Sequence, residues 1–380
     1  MKTMCIALLA LSLLLSTVPA VRSSSRCGFT VEAIRRITFA SGKSQTARNN
    51  ARCISVDPMG KVHMVWEDSR NGNFEIYYAS LTGDSVSPAL RLTDSKGESV
   101  APCVACDSSS VYILWQERVG TVHEVFYLRI VEGEEIARRR ITRNALDSGA
   151  PVAALGSDGA LNIAWHEGPY GRTRVYYGRI VGDSLVLRTP IADKHPGAFR
   201  PDIACKPDGR MLVVWFEQQD IKSRAWDGKI WGEEQLVARN DSKPYRLALT
   251  DIGADKWALV WFDRTKEASY DVLVKFYDGS KWYGQTQIDT GNRAYYPSIT
   301  AFGSKGAIAV WEEQDRISRE FLLLLRCYDG TAWTEPTELV RDTALSRYCS
   351  LASAGSSVHA IWFSPKPGNN EIYYGLLRIE

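Results

Sequence analysis

Short runs of apolar, β-branched and aromatic residues recur along the chain, and each ends at a tryptophan. His63-Met64-Val65-Trp66, Ile113-Leu114-Trp115, Leu212-Val213-Val214-Trp215 and Ala258-Leu259-Val260-Trp261 are four of them. Runs this short, bounded by Gly, Asp and Ser, predict buried strands. The tryptophans Trp66, Trp115, Trp165, Trp215, Trp261, Trp311 and Trp362 lie 49, 50, 50, 46, 50 and 51 residues apart, so the chain holds seven units. Each unit accommodates four strands. An inner strand such as 201–205 turns at Asp208-Gly209 into the tryptophan strand; a third follows, 75–78 in the first unit, and a second hairpin leads to a fourth, 90–93. The Asp-Gly steps supply the positive φ that tight hairpins require. Four strands every ~45–50 residues predict an all-β fold, a seven-bladed β-propeller with four antiparallel strands per blade.

The last unit stops after its third strand. Gly368-Asn369-Asn370-Glu371-Ile372-Tyr373-Tyr374 repeats Gly72-Asn73-Phe74-Glu75-Ile76-Tyr77-Tyr78, and nothing resembling a fourth strand follows. A matching segment stands at the other end, where Ile34-Arg35-Arg36-Ile37-Thr38 parallels Leu90-Arg91-Leu92-Thr93 and Arg138-Arg139-Arg140-Ile141-Thr142. The N-terminal strand is therefore expected to close blade seven, removing sheet edges that invite aggregation.

Ahead of the repeats, Lys2, an apolar run from Ile6 to Leu15 and small residues up to Ala20 form the pattern of a secretory signal peptide, taken as residues 1–20. Residues 27–380 are then expected to form one propeller domain. The run is too short to span a bilayer of about 30 Å, and no later segment is apolar for roughly eighteen residues, so a secreted or periplasmic protein without an integral membrane segment is expected. The formal charge of +2 includes Lys2 of the leader, and no basic block stands out. Nucleic acid is a poor candidate partner on that ground.

Eight cysteines are present, of which Cys5 lies in the leader, leaving an odd number. Cys53, Cys103 and Cys349 align at one repeat position and read as buried thiols packing as small hydrophobes. Cys103 and Cys106 form an isolated Cys-x-x-Cys, and the histidines lack ligand spacing, so neither a metal nor another cofactor is expected.

Blades four to six carry a second mark, Asp-Gly-x-x-Trp, at Asp227-Gly228-Lys229-Ile230-Trp231, Asp278-Gly279-Ser280-Lys281-Trp282 and Asp329-Gly330-Thr331-Ala332-Trp333. It resembles a shortened Asp-box, the hairpin motif of the sialidase superfamily, and it looks like the hairpins of fucose-binding propeller lectins. The first unit, with Trp66-Glu67-Asp68-Ser69-Arg70-Asn71-Gly72-Asn73, is similar to repeats of secreted bacterial sialidase-like propellers. Classical sialidases have six blades, a Phe/Tyr-Arg-Ile-Pro motif and complete Asp-boxes. This chain shows seven units and neither motif intact, so the resemblance implies architecture and a non-classical member.

Two columns of residues carry the candidate chemistry. Fifteen positions before the tryptophan stand Arg200, Arg246 and Arg347, with Tyr296 in blade six and Arg52 one step displaced; two positions after it stand Asp68, Glu117, Glu167, Glu217, Asp263 and Glu313. Arginines gathered at one mouth of a propeller can grip a carboxylate or sulfate bidentately. The resemblance to sialidases implies Arg200, Arg246 and Arg347 as an arginine triad, with Tyr296, Glu313 and Asp263 in the catalytic roles. Against that stands the repetition itself: a carboxylate in six of seven units reads as architecture, and such columns can pair between blades. The leading expectation is a monomeric, non-catalytic propeller holding a glycan or protein ligand on one face, with Arg52, Arg200, Arg246, Arg347, Asp68, Glu117, Glu167 and Glu217 as ligand-side candidates. The alternative is a sialidase-like exo-glycoside hydrolase.

Overall fold

A computed structural model describes residues 28–169, 171–192, 194–240, 246–266, 269–315, 317–342, 345–366 and 368–379. The expected leader lies outside the described residues. Seven antiparallel sheets are arranged in a ring, and their inner strands neighbour one another in sequence order, with blade seven returning to blade one. Among the described residues there are no helices, and hence none long and apolar enough to cross a membrane.

The ring closes as the repeat requires. Phe29–Arg36 pairs with Glu371–Ile379 as the outer strand of blade seven, in the order Phe29–Arg36, Glu371–Ile379, Ser357–Ser364, Arg347–Ala354. A buried carboxylate fixes this register. Glu371 accepts from Arg36 Nη2 at 2.9 Å, from the Thr38 hydroxyl and from the Ala40 amide at 3.1 Å. The Thr38 hydroxyl in turn accepts from the Ile372 amide at 2.8 Å. Glu75 holds Arg91, Thr93 and the Ser95 amide in the same way in blade one, and Glu124 holds Arg140, Thr142 and the Asn144 amide in blade two. The closing strand thus uses the clamp that ordinary outer strands use.

Period-two alternation along the second strand assigns each side chain a partner. The tryptophan faces the preceding blade: Trp165 lies in a cluster with Cys103, Leu114 and Tyr127 of blade two, and Trp362 in one with Ile308, Val310 and Leu323 of blade six. The residue two positions on points the same way and caps the indole. Trp66 donates to Asp68 at 3.1 Å, Trp115 to Glu117 at 3.1 Å, Trp165 to Glu167 at 2.7 Å and Trp311 to Glu313 at 2.8 Å. In blade five Asn240 takes that role for Trp261, at 3.1 Å. In blade four Nε1 of Trp215 has no hydrogen-bond partner among the described residues, although Glu217 holds the capping position.

The residue directly after the tryptophan faces the next blade. Glu67 Oε1 accepts from the Ala101 amide at 2.7 Å, Gln116 from Ala150 at 2.8 Å and Glu312 from Tyr348 at 2.6 Å, while His166 Nδ1 receives the Arg200 amide at a longer 3.5 Å. These four acceptors meet amides at a β-bulge, where the inner strand slips register and Ala101, Ala150, Arg200 and Tyr348 take φ of 58°, 49°, 48° and 54°. The pairing also corrects the alignment of blade seven by one residue. Ser350, not Cys349, pairs opposite the residue before the tryptophan as Cys53 and Cys103 do, so Tyr348 holds the bulge position and Arg347 precedes it. Among the described residues the six cysteines form no disulfide, and Cys53, Cys103, Cys327 and Cys349 are buried; Cys27 lies outside the described residues.

Blade one departs from the pattern. Its inner strand is broken into Ser44–Gln45 and Ile54–Val56, and the residues between them form a strap across the mouth of the central channel. The Thr46 hydroxyl donates to the Tyr348 carbonyl at 2.8 Å, Arg48 Nε to the Tyr296 hydroxyl at 3.0 Å and Asn50 Nδ2 to the Pro102 carbonyl at 3.3 Å. One short segment is thereby bonded to blades seven, six and two.

Two outcomes test this frame. Glu371→Ala removes the carboxylate of the closing clamp and should lower stability by about 3 kcal/mol; a thermal midpoint within about 2 °C of wild type would show that the clamp does not hold the ring. Burial pushes the Glu67 carboxyl up to about 7. The folded chain therefore binds this proton more tightly than the unfolded one, whose carboxyl titrates near ~4.3. Stability from this source is complete below the unfolded value and is lost as pH rises through about 7. Glu67→Gln keeps the tie, as Gln116 does in the next blade. Its midpoint should gain on wild type between about pH 5 and about pH 8, and a pH-independent difference would contradict the assignment.

Candidate functional site

The inter-blade connections and the loops after the second strands open on one face, called here the upper face. The arginines expected there occupy four different environments. Arg52 is half-buried in the channel, where Nε meets Asp202 at 2.9 Å and Nη2 meets the Ile203 and Leu249 carbonyls at 2.6 and 2.9 Å. It ties blade one to blades four and five. Arg246 is wholly buried; Nη1 donates to the Cys349 carbonyl at 2.7 Å and Nη2 to the Ala47 carbonyl of the strap. Burial pulls its pKa down, and no carboxylate bonds it among the described residues. Arg347 is half-buried, with Nε on Glu312 at 3.0 Å and its guanidinium over the rings of Tyr296 and Tyr348. Arg200 alone of the four lines an open upper-face cleft. The structure therefore does not gather Arg200, Arg246 and Arg347 around one point.

The residues given catalytic roles by the resemblance are each engaged in contacts of the scaffold. Tyr296 is buried against Phe262 and Tyr348, and its hydroxyl accepts from Arg48. Glu313 bonds Trp311, the Thr290 hydroxyl and Asn292, while Asp263 is buried and receives the Arg264 amide at 2.7 Å. Asp68, Glu167 and Glu217 are buried and Glu117 is half-buried. All but Glu217 of these last four cap an indole.

A different set converges at the cleft, whose volume is about 600 Å³, between the loops of blades two to four. Arg200, His166, Gln116, Asp147, Asn49 and Phe199 are among the residues that line it. Gly149 keeps the wall close: a Cβ there would stand 2.6 Å from Gln116 Oε1 and would displace that side chain from the Ala150 amide. His123 Nδ1 meets Asp147 Oδ1 at 2.9 Å, and the His123 amide donates to the same oxygen at 2.7 Å. Burial, then the neighbouring Arg200 charge, lowers the His166 pKa to about 4, so its imidazole is neutral at neutral pH. With Nδ1 facing the Arg200 amide, the proton sits on Nε2. The cleft thus offers a guanidinium, amide groups, a neutral imidazole, an aromatic ring and one carboxylate, Asp147, that His123 already engages; the guanidinium and amides together suit a polar ring bearing an anionic group. His123 and His166 have no sequence spacing that marks them. The signal that could have found them is the column directly after the tryptophan, where His166 interrupts a series of Glu, Gln and Phe.

The hairpin tryptophans of blades four to six are structural as they stand. Trp231 packs edge-on against Tyr177 of blade three at 5.0 Å, Trp282 donates to Ser223 of blade four at 2.9 Å, and Trp333 packs on Tyr328.

No protein-family model matches the sequence, and no curated protein matches it. Solved structures with the same fold do. A PL25 ulvan lyase aligns over 90% of this chain and 95% of its own at 10% identity, with a TM-score of 0.62, and a second structure of that family is bound to -[GlcA(1-4)Rha3S]-. The polysaccharide lyase Uly1 aligns over 95% of both chains at 10% identity and a TM-score of 0.56. The NanB sialidase of Streptococcus pneumoniae reaches only 0.49, at 9% identity over 91% of this chain and 70% of its own. The chain shares the propeller fold of the lyases, and at these identities the likeness is one of fold.

The cleft electrostatics can be checked directly. In nitrogen-detected NMR His166 should remain the Nε2-protonated neutral tautomer down to about pH 4, and Arg200→Gln should move its midpoint upward by removing a repelling charge. An unchanged midpoint would mean that Arg200 does not face the imidazole.

Proposed function

We propose that the protein is an exported, non-catalytic binder of an acidic glycan, and that the upper-face cleft of blades two to four is its site. The observation that supports this reading is the cleft lining, where the Arg200 guanidinium stands among amide and imidazole groups beside Phe199. Asp147, the carboxylate in that lining, is engaged by His123. A carboxylate or sulfate on a sugar takes charge-assisted bonds from such a set, and an aromatic ring supports the sugar face. The fold neighbour carrying a glucuronate and sulfated-rhamnose chain is consistent with that chemistry. Of the arginines expected from sequence, Arg200 is the one that lines the cleft. Arg52 and Arg246 are assigned to the scaffold.

A second reading, in which the cleft also cleaves its glycan, is favoured by one observation. His123, paired with Asp147, stands near His166, which is held neutral beside Arg200, and imidazoles can move protons. Hydrolysis of the sialidase type instead needs Tyr296, Glu313 and Asp263 to act together, and the first two are held by Arg48 and Trp311.

Calorimetric titration with oligosaccharides of glucuronate and rhamnose 3-sulfate, and with oligogalacturonides, tests the proposal. Wild type should bind at least one acidic series and no neutral counterpart. Arg200→Lys keeps the charge but loses the bidentate fork and should weaken binding about tenfold, roughly 1.4 kcal/mol. Undiminished affinity in Arg200→Lys would remove the cleft from consideration. Unsaturated uronate appearing in the ultraviolet would favour cleavage, and sugar released from a chromogenic sialoside would favour the hydrolase.

A further inference from the structure

The cleft continues onto the strap. Asn49 lines it, and the preceding residue, Arg48, about 3.8 Å away along the backbone, is exposed on the upper face with Nε bonded to the Tyr296 hydroxyl. Beyond Arg48, the Arg347 guanidinium lies 5.2 and 5.0 Å from the ring centres of Tyr296 and Tyr348, and 29% of its side chain stays exposed while Glu312 holds one edge. Tyr270 and Tyr295, both half-buried, place their rings 5.1 Å apart in the same sector. Four carboxylates of this sector lie beneath the surface: Asp263 is 4% exposed, Asp271 2%, Glu312 1% and Glu313 0%. Asp315, in the blade-six loop that follows, is half-buried and is occupied by the Ile317 and Ser318 amides, so the guanidinium of Arg48 and the open edge of Arg347 carry the accessible charge next to the tyrosine rings.

We propose that the acidic glycan binds as an extended chain, running from the cleft across the strap onto the platform formed by Arg48, Arg347 and Tyr295. This rests on the cleft being the glycan site, and it specifies that site as a reader of several consecutive sugars in place of a chain end. Each acidic sugar beyond the cleft gains a charge-assisted contact to an arginine, and a sugar face can lie on a tyrosine ring. The strap holds the two halves at fixed separation through Thr46 on blade seven, Arg48 on blade six and Asn50 on blade two, so the second half is pre-ordered when the first is occupied.

Calorimetric titration with oligogalacturonides of two, four and six sugars decides it. Wild type should bind the hexamer at least tenfold more tightly than the dimer. Arg48→Gln and, independently, Tyr295→Leu should each remove most of that gain and leave dimer affinity unchanged, with thermal midpoints showing that both variants are folded. Equal affinity at all three lengths, or a length gain that survives in both variants, overturns the extended-chain proposal and leaves the cleft reading intact. Failure of wild type to bind any length overturns both.

Discussion

Each blade is a sheet with two apolar faces, and neither is stable in water, so the structure depends on every face being covered by a neighbouring blade. The repeated tryptophan of each second strand provides much of that cover. An indole buried between sheets carries an N–H that must be satisfied, which fixes a polar acceptor two residues on, where alternation returns the side chain to the same face. Asp68, Glu117, Glu167 and Glu313 meet this requirement. Their repetition is therefore a consequence of burying the indole. The side chain between, facing the other way, is available to tie the next blade, and Glu67, Gln116 and Glu312 do so at the bulge.

The fold was legible because its signals are periodic. Tryptophan spacing gives the blade count, and the Arg-x-Thr of the N-terminal strand matches two ordinary outer strands because Glu371 needs the same partners as Glu75 and Glu124. Register at the bulges was not legible. A bulge adds one residue without leaving a mark in the hydrophobic pattern, so Arg347 and Cys349 appear one position from where the pairing puts them. Arg246 shows a further limit. In blade five the pairing runs without the slip, from Leu247 opposite Trp261. Its guanidinium lies beneath the strap with backbone carbonyls as partners, an arrangement that depends on a segment about two hundred residues away in sequence.

The strap explains why the arginines divide as they do. It crosses the channel mouth, where Arg246 and Arg52 become supports, one bonded to the Ala47 carbonyl and the other crossing to Asp202. Arg200 stands beyond its edge in the cleft and Arg48 upon it. Sequence reasoning grouped arginines by repeat position, but position in a repeat does not determine depth. The cleft residues escaped notice for the complementary reason: His123 and Asp147 lie on different blades, and only the packing of blade two on blade three makes them partners.

The most direct test of the account is a crystal structure of the protein soaked with an acidic tetrasaccharide such as tetragalacturonate. The account predicts a sugar carboxylate on the Arg200 guanidinium, with the chain leaving the cleft over Asn49 and Arg48. Density instead on the opposite face, among the hairpins of Trp226, Trp231 and Trp282, with the cleft vacant, would contradict it.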